Sequence, residues 1–323
     1  MIVVTGAAGF IASVVASRFL QDKDYQLVLV DDFSRLDKVR NYENFKDTTQ
    51  VDRSEFTAWL DLNYTNVDFI IHLGARTDTT EQSIELFNRL NLNYTKQIWK
   101  QCIQYDLPLI YASSAATYGD GTLGFDDNES TMPNLTPLNP YGDSKQDFDV
   151  WALNQTEKPK FWAGLKFFNV YGPNEYHKGR MASVVFHTFN QVNKTDKMKL
   201  FRSHKEEYNN GEQLRDFIYV KDVADVILFL MKNSKKENSG IYNLGTGKAR
   251  SFLSLAKATF KAMGKAENIE YIDIPEDIRD TYQYFTEAKM EKLVNIGYIK
   301  PFTSLEDGVT DYVQNYLEKN RIY

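Results

Sequence analysis

Apolar runs no longer than a strand, rich in β-branched residues, alternate with helix-length segments through the first half of the chain. Residues 2–5 precede 11–21, then 26–31 follows; 69–73 precedes 84–105, 109–113 precedes 141–154, and 162–168 closes the series. This succession reads as βα units on a parallel sheet, because parallel neighbours need a crossover long enough to return to the same edge. Leu27-Val28-Leu29-Val30 is apolar at alternate positions of both parities. A strand of that kind belongs in a sheet covered by helices on both faces. The fold class that follows is α/β, a doubly wound parallel sheet with a smaller, discontinuous α/β unit. Beyond about residue 169 the alternation becomes irregular, and the polar stretch 203–213 reads as a surface loop. Strand-like segments at 217–220 and 241–244 are expected to return to the sheet. One domain is therefore expected over 1–168 and 217–246, the other over 169–216 and 247–323.

Composition narrows the function classes. With 42% hydrophobic and 25% charged residues in 323, the chain has the make-up of a globular protein able to bury a large core. No apolar run approaches the roughly 20 residues that span a bilayer, and the opening residues lead straight into a strand, so a cytoplasmic protein without a membrane partner is expected. The single cysteine, Cys102, permits no internal disulfide and falls in an apolar-periodic segment, which suits packing. A net charge of −6 disfavours a nucleic-acid partner, since such proteins gather cations to replace phosphate counterions.

The first βα junction carries Thr5-Gly6-Ala7-Ala8-Gly9-Phe10-Ile11-Ala12. Backbone N–H groups and the helix dipole at such a turn favour a pyrophosphate. Gly6 permits the sharp turn, and Gly9 lets backbone approach phosphate with no Cβ between. A plain strand–helix turn also uses glycine pairs, but placement at the very first βα junction favours a Rossmann-type dinucleotide site. Asp31, 25 residues after Gly6 at the end of the second strand, stands where a carboxylate can accept from an adenosine ribose, which favours NAD. Lys38 and Arg53 leave NADP open, because cations there could neutralise a 2′-phosphate. The strand end at Leu73-Gly74-Ala75 is expected on the nicotinamide side.

In Tyr141-Gly142-Asp143-Ser144-Lys145 the tyrosine and lysine stand four apart, one helical turn, so both project from one face. A phenol with a pKa near 10 is a poor base at neutral pH, and an adjacent ammonium stabilises its phenolate. Y-x-x-x-K alone is common as an exposed pair. Ser114 at a strand end 27 residues earlier makes it specific, since a hydroxyl there can hydrogen-bond a reacting sugar oxygen while the phenolate takes its proton.

On these residues the chain resembles the extended short-chain dehydrogenase/reductases over essentially its whole length. The supporting segments are 111–119, Phe168-Asn169-Val170-Tyr171-Gly172-Pro173, Arg215-Asp216-Phe217 and Tyr242-Asn243-Leu244-Gly245-Thr246-Gly247. Within that group, His177-Lys178-Gly179-Arg180-Met181-Ala182-Ser183 is similar to the branch of ADP-heptose 6-epimerases, which serve lipopolysaccharide core biosynthesis. The resemblance implies an isomerase that oxidises C6 of a nucleotide-linked heptose to a transient ketone and reduces it on the other face, with NADP or NAD as carrier. It assigns proton transfer on the two faces to Tyr141 and Lys178. It also implies cofactor contacts from Phe10, Ile11, Asp31, Asp32, Lys38, Arg53, Asn93, Lys145 and Val170, and substrate contacts from Asn169, Arg180, His187, Phe201, Arg215 and Tyr282. A homo-oligomer is expected, and no metal. Arg215 suits a diphosphate on its own chemistry, with an ion pair to Asp216 as the plainer role. Arg76 and Arg180 depart from the smaller residues common in related enzymes.

Three other functions share parts of this pattern. A sugar-nucleotide 4,6-dehydratase needs an acid and a base directly after Ser114, where this chain has Ala115-Ala116; methyl groups transfer no proton. A UDP-hexose 4-epimerase uses the same Ser, Tyr and Lys, and only the 177–183 segment speaks against it. A non-catalytic dinucleotide sensor would have no need of all three catalytic residues.

Overall fold

The computed structural model describes residues 1–22, 25–279 and 282–323. Six strands of the first half, β1 (Ile2–Thr5), β2 (Leu27–Asp31), β3 (Thr49–Asp52), β4 (Phe69–His72), β5 (Leu109–Ser114) and β6 (Trp162–Phe167), form a sheet of order β6-β5-β4-β1-β2-β3. Every pairing in it is parallel. The chain then leaves for β7 (Asn169–Tyr171), β8 (Met198–Phe201) and β9 (Leu214–Tyr219). It returns with β10 (Gly240–Leu244) as the seventh strand, beside β6. Finally β11 (Ala249–Ser251) joins β9, and β12 (Ile269–Ile272) joins β8.

The segment at 241–244 thus returns as expected, but the one at 217–220 does not. Phe217, Ile218 and Tyr219 pair with Asn169, Val170 and Tyr171 in the small sheet β11-β9-β7. The cause is polar: the buried Asp216 carboxylate accepts the backbone N–H groups of Thr246, Gly247 and Ala288, which fastens β9 to the segments after β10. Val220 already opens a helix.

The helices that cover the sheets and carry the site are α1 (Phe10–Leu20), α2 (Phe56–Asn63), α3 (Ile84–Phe87), α4 (Tyr94–Gln104), α5 (Pro140–Leu153), α6 (Val184–Thr195), α7 (Val220–Lys232) and α8 (Phe252–Ala262). Strand side chains divide by parity between the two faces of the sheet. Val4, Leu29, Ile71, Ile110 and Leu165 pack with Val14 and Val15 of α1 and Val223 and Ile227 of α7. Val3, Val28, Ile70, Leu109 and Tyr111 pack with Phe56 and Leu60 of α2, Ile98 and Trp99 of α4 and Phe148 of α5. Both parities are therefore apolar, as the continuous runs required. No helix among the described residues is long and apolar enough to cross a membrane.

Helix α5 is anchored by aromatics. The fully buried Trp99 meets Phe148 and Trp151 edge-on at centroid distances of 5.9 and 6.1 Å, and Trp162 of β6 at 5.3 Å. Each such pair adds roughly 0.5–1.5 kcal/mol beyond its buried area. At Gly164 of β6 a Cβ would sit 2.4 Å from the Tyr111 ring, so the strand has no side chain where that ring lies. The helix expected over 84–105 forms, but Asn88–Asn93 winds it wider, as a π turn between α3 and α4. In that turn the buried Asn91 donates to the Arg76 carbonyl and to Ser144 of α5, and accepts from the Arg76 N–H.

Candidate active site

Beyond β1 the chain goes to β2 and β3 on one side, then crosses to β4 on the other, so a crevice opens between the C-terminal ends of β1 and β4. A cavity of about 880 Å³ lies there, within the range of small-molecule sites. Gly6, with φ +72°, turns the chain so tightly that a Cβ would stand 2.6 Å from the Gly74 Cα. Helix α1 begins at Gly9 with no side-chain cap and no acid in its first turn. Its free N–H groups suit a phosphate, and this uncapped end beside a glycine turn fits a dinucleotide.

Gly6, Gly9, Phe10, Ile11, Asp31, Asp32, Lys38, Arg53, Leu73, Gly74, Ala75 and Asn93 all line this cavity, as does Lys178. Lys145 and Val170 are not among its lining residues. Asp31 is already engaged: one oxygen accepts from the Ala8 N–H at 3.0 Å, and the other from the Asp32 N–H at 2.7 Å and Lys38 at 3.1 Å. It shapes the glycine turn as well as facing the cavity. Arg53 pairs with Asp32 and Arg35 with Asp37, which makes three paired cations at this end. Arg76 lines the cavity near Ala75 and pairs with Asp78 at 3.2 Å.

Ser114, Tyr141 and Lys145 come together next to the end of β5. Asn139 caps α5 by accepting from the Gly142 N–H at 2.9 Å, and Pro140 occupies the first helical position; both are favourable starts. Tyr141 therefore falls in the first turn. The Ser114 Oγ accepts from the Ala116 N–H at 3.1 Å, which leaves its own proton free to donate to the Tyr141 oxygen. Burial raises the Tyr141 pKa, and the Ser114 hydrogen bond works in the opposite direction. The Lys145 ammonium donates to the Ala112 carbonyl at 2.8 Å. Burial brings its pKa down to about 8, with Asp149 opposing.

Beneath the trio is a buried charge network. Asp149 accepts from Tyr111, Ser113 and Lys166 at 3.0, 2.6 and 2.8 Å, and Lys166 also donates to Thr117 at 2.7 Å. Both members of the ion pair are fully out of solvent. His72 bridges Thr5 and Thr95, and burial pushes its pKa down to about 3, so its imidazole is neutral.

Lys178 reaches the cavity from the loop that follows β7, its amine 5.3 Å from the centre of the Phe10 ring. Burial lowers its pKa. Asn41, which no sequence pattern singles out, ties this loop to the glycine turn: its amide donates to the carbonyls of Ala8 and Asn174, both at 3.0 Å, and meets His177 at 3.3 Å. An asparagine in a short loop carries no periodic signal. His177 is pushed down to about 4, chiefly by burial.

Of the expected substrate contacts, Phe201, Arg215 and Tyr282 form one cluster: Tyr282 meets Phe201 edge-on at 5.8 Å and lies 5.4 Å from the Arg215 guanidinium. Arg215 makes no ion pair with Asp216; it donates to the carbonyls of Leu214 and Gln283. Gln283, equally unmarked in the sequence, in turn donates to the Gly119 carbonyl and so links this cluster to the turn after Ser114. Arg180 and His187 meet separately, with the His187 ring 3.3 Å from the Arg180 carbonyl. Asn169 lies exposed at the start of β7. None of these six lines the large cavity.

Residues 2–245 match the NAD dependent epimerase/dehydratase family. An ADP-L-glycero-D-manno-heptose-6-epimerase of Fusobacterium nucleatum is 48% identical, with 100% of each chain covered. One from Nitratidesulfovibrio vulgaris is 45% identical over 98% of each. Among solved structures, the ADP-L-glycero-D-manno-heptose-6-epimerase of Helicobacter pylori superposes with a TM-score of 0.82 at 30% identity, covering 97% of this chain and 95% of that one. This chain belongs to the NAD dependent epimerase/dehydratase family.

Proposed function

We propose that this chain epimerises ADP-D-glycero-D-manno-heptose at C6 to the L-glycero form, using a tightly held nicotinamide dinucleotide. The observation that carries this reading is that two groups able to transfer a proton stand on separate elements: Tyr141 on α5 beside Ser114, and Lys178 on the loop after β7, half-buried against Phe10 and lining the cavity. Full-length relatives bearing the heptose-epimerase name support it.

When bound across the glycine turn, the dinucleotide supplies hydride acceptance and return. Gly6, Gly9 and the start of α1 would hold its pyrophosphate. Tyr141 takes the proton of the C6 hydroxyl, Ser114 hydrogen-bonds that oxygen, and the Lys145 ammonium favours the phenolate. Lys178 serves the opposite face of the transient ketone, where inversion needs a second acid. A depressed amine pKa suits it to both giving and taking a proton near neutrality. Phe201, Arg215 and Tyr282 are assigned to the nucleotide diphosphate. For the dinucleotide we favour NADP: Arg35, Lys38 and Arg53 line the cavity beyond the end of β2, where the adenosine would lie, and a 2′-phosphate would draw them from their carboxylate partners. The dinucleotide released on denaturation should carry that phosphate by mass, and recovery of NAD alone would overturn the preference.

Lys178→Met removes the second acid/base with little change in stem volume. It should slow conversion from either epimer by roughly a hundredfold or more, read by NMR of the two heptoses, with dinucleotide retention unchanged. Unimpaired interconversion would make Lys178 an ordinary loop lysine.

A further inference from the structure

The loop that carries Lys178 is closed on itself by a single buried carboxylate. Glu175, 1% exposed, accepts from the Ser183 N–H at 2.5 Å and the Ser183 hydroxyl at 2.6 Å on one side of Lys178, and from the Gly172 N–H at 3.5 Å on the other. The buried Tyr312 hydroxyl faces the same carboxylate. Ser183 is also the N-cap of α6, accepting from the Phe186 N–H. The backbone between, Tyr176–Met181, is a pair of tight turns that reverses at Gly179, with φ 52°. The Lys178 N–H donates to the Glu175 carbonyl at 2.9 Å.

We propose that Glu175 is a positioning residue for Lys178, holding its loop closed against Phe10 and supplying the negative charge that keeps the amine usable as an acid. This rests on the reading of Lys178 as the second proton-transfer group. The pKa balance agrees: burial pushes the Lys178 amine down, and Glu175 pushes it back up. Other charges face this region. On the same loop are His177, neutral near pH 7, and Arg180; from the end of β2 comes Asp31 and from the segment after it Lys38 and Asp37; from the segment after β4 come Arg76 and Asp78. Lys38 pairs with Asp31, Asp37 with Arg35 and Arg76 with Asp78. Glu175 has no cationic partner within 4 Å among the described residues; burial raises its own pKa, and the hydrogen bonds from Ser183 and the charge of Lys178 work against that rise.

The test reads the Lys178 pKa without relying on turnover. Competitive acetylation of the holoenzyme with acetic anhydride across pH, mapped by mass spectrometry, gives the amine's apparent pKa, and the pH profile of kcat gives its kinetic consequence. Glu175→Gln should lower that pKa, because the opposing negative charge is gone, and move the kcat limb assigned to Lys178 acidward with it. Glu175→Asp, which keeps the charge but is too short to span to Ser183, should leave the pKa near that of the parent and lower kcat about tenfold. An unmoved pKa in a folded Glu175→Gln overturns the charge role. If Glu175→Gln does not fold, Glu175→Asp decides alone: parent kcat overturns the positioning role, and a displaced pKa overturns the charge role. If Lys178→Met is itself active, the underlying reading fails, and the labelling result still stands or falls separately.

Discussion

Tyr141→Phe should retain its dinucleotide and lose epimerisation by at least two orders of magnitude. The phenyl ring fills the same half-buried site, and its neighbour Phe87, 6.2 Å away between centroids, is unaffected. Only the hydroxyl is lost, and with it the group that exchanges a proton with C6–OH. Ser114 is a poor substitute, because an alkyl alcohol has no usable basicity at neutral pH. The pH profile of the parent enzyme carries a second signature. Burial sets the Lys145 pKa at about 8, so its ammonium is fully present below that value and lost above it. The phenolate loses its supporting cation over the same interval, and kcat should fall on the alkaline side through about pH 8. A Tyr141→Phe variant within tenfold of the parent would remove Tyr141 from the mechanism.

Lys166→Met should strongly destabilise the fold. Lys166 and Asp149 are both fully buried, and the carboxylate's other partners, Tyr111 and Ser113, are neutral donors. Removing one partner of a buried pair costs about 3–5 kcal/mol, since the remaining charge cannot reach water. Chemical denaturation should show the midpoint fall with the slope unchanged. The double variant Lys166→Met/Asp149→Leu removes both charges and should recover much of the loss. Asp149 also opposes the fall in the Lys145 pKa, so the double variant should shift the alkaline limb to lower pH even where the fold is restored. A Lys166→Met protein as stable as the parent would mean that Asp149 and Lys166 do not form a charged pair in the folded protein.

The main sheet was legible because the pattern that defines it is local. Apolar residues of both parities in 27–30 demand two covered faces, and both clusters form. The glycine turn and the Tyr141–Lys145 pair were legible because each is a short spacing whose meaning comes from its place in the βα pattern, the turn at the first junction and the pair after Ser114 at a strand end. The destination of 217–220 was not. Its apolar residues announce a strand but not which sheet receives it, and that choice is made by Asp216 reaching to Thr246, Gly247 and Ala288. The supporting residues of the site were hidden in the same way. Asn41 joins Ala8 to Asn174, and Gln283 joins Arg215 to Gly119. Each is a polar residue whose partners are remote in sequence, and nothing in its neighbours' periodicity marks it. Glu175 lies beside a segment that stands out in the sequence, yet its burial, which makes it consequential, is a tertiary fact.

The most direct test of C6 epimerisation is to incubate the purified protein with ADP-D-glycero-D-manno-heptose and follow the sugar by NMR. The L-glycero epimer should accumulate to a fixed ratio with no added dinucleotide and no net redox change, and the same ratio should be reached from the L-glycero side. A sugar unchanged by a dinucleotide-loaded protein, or conversion of a UDP-hexose at C4 in its place, would contradict the account.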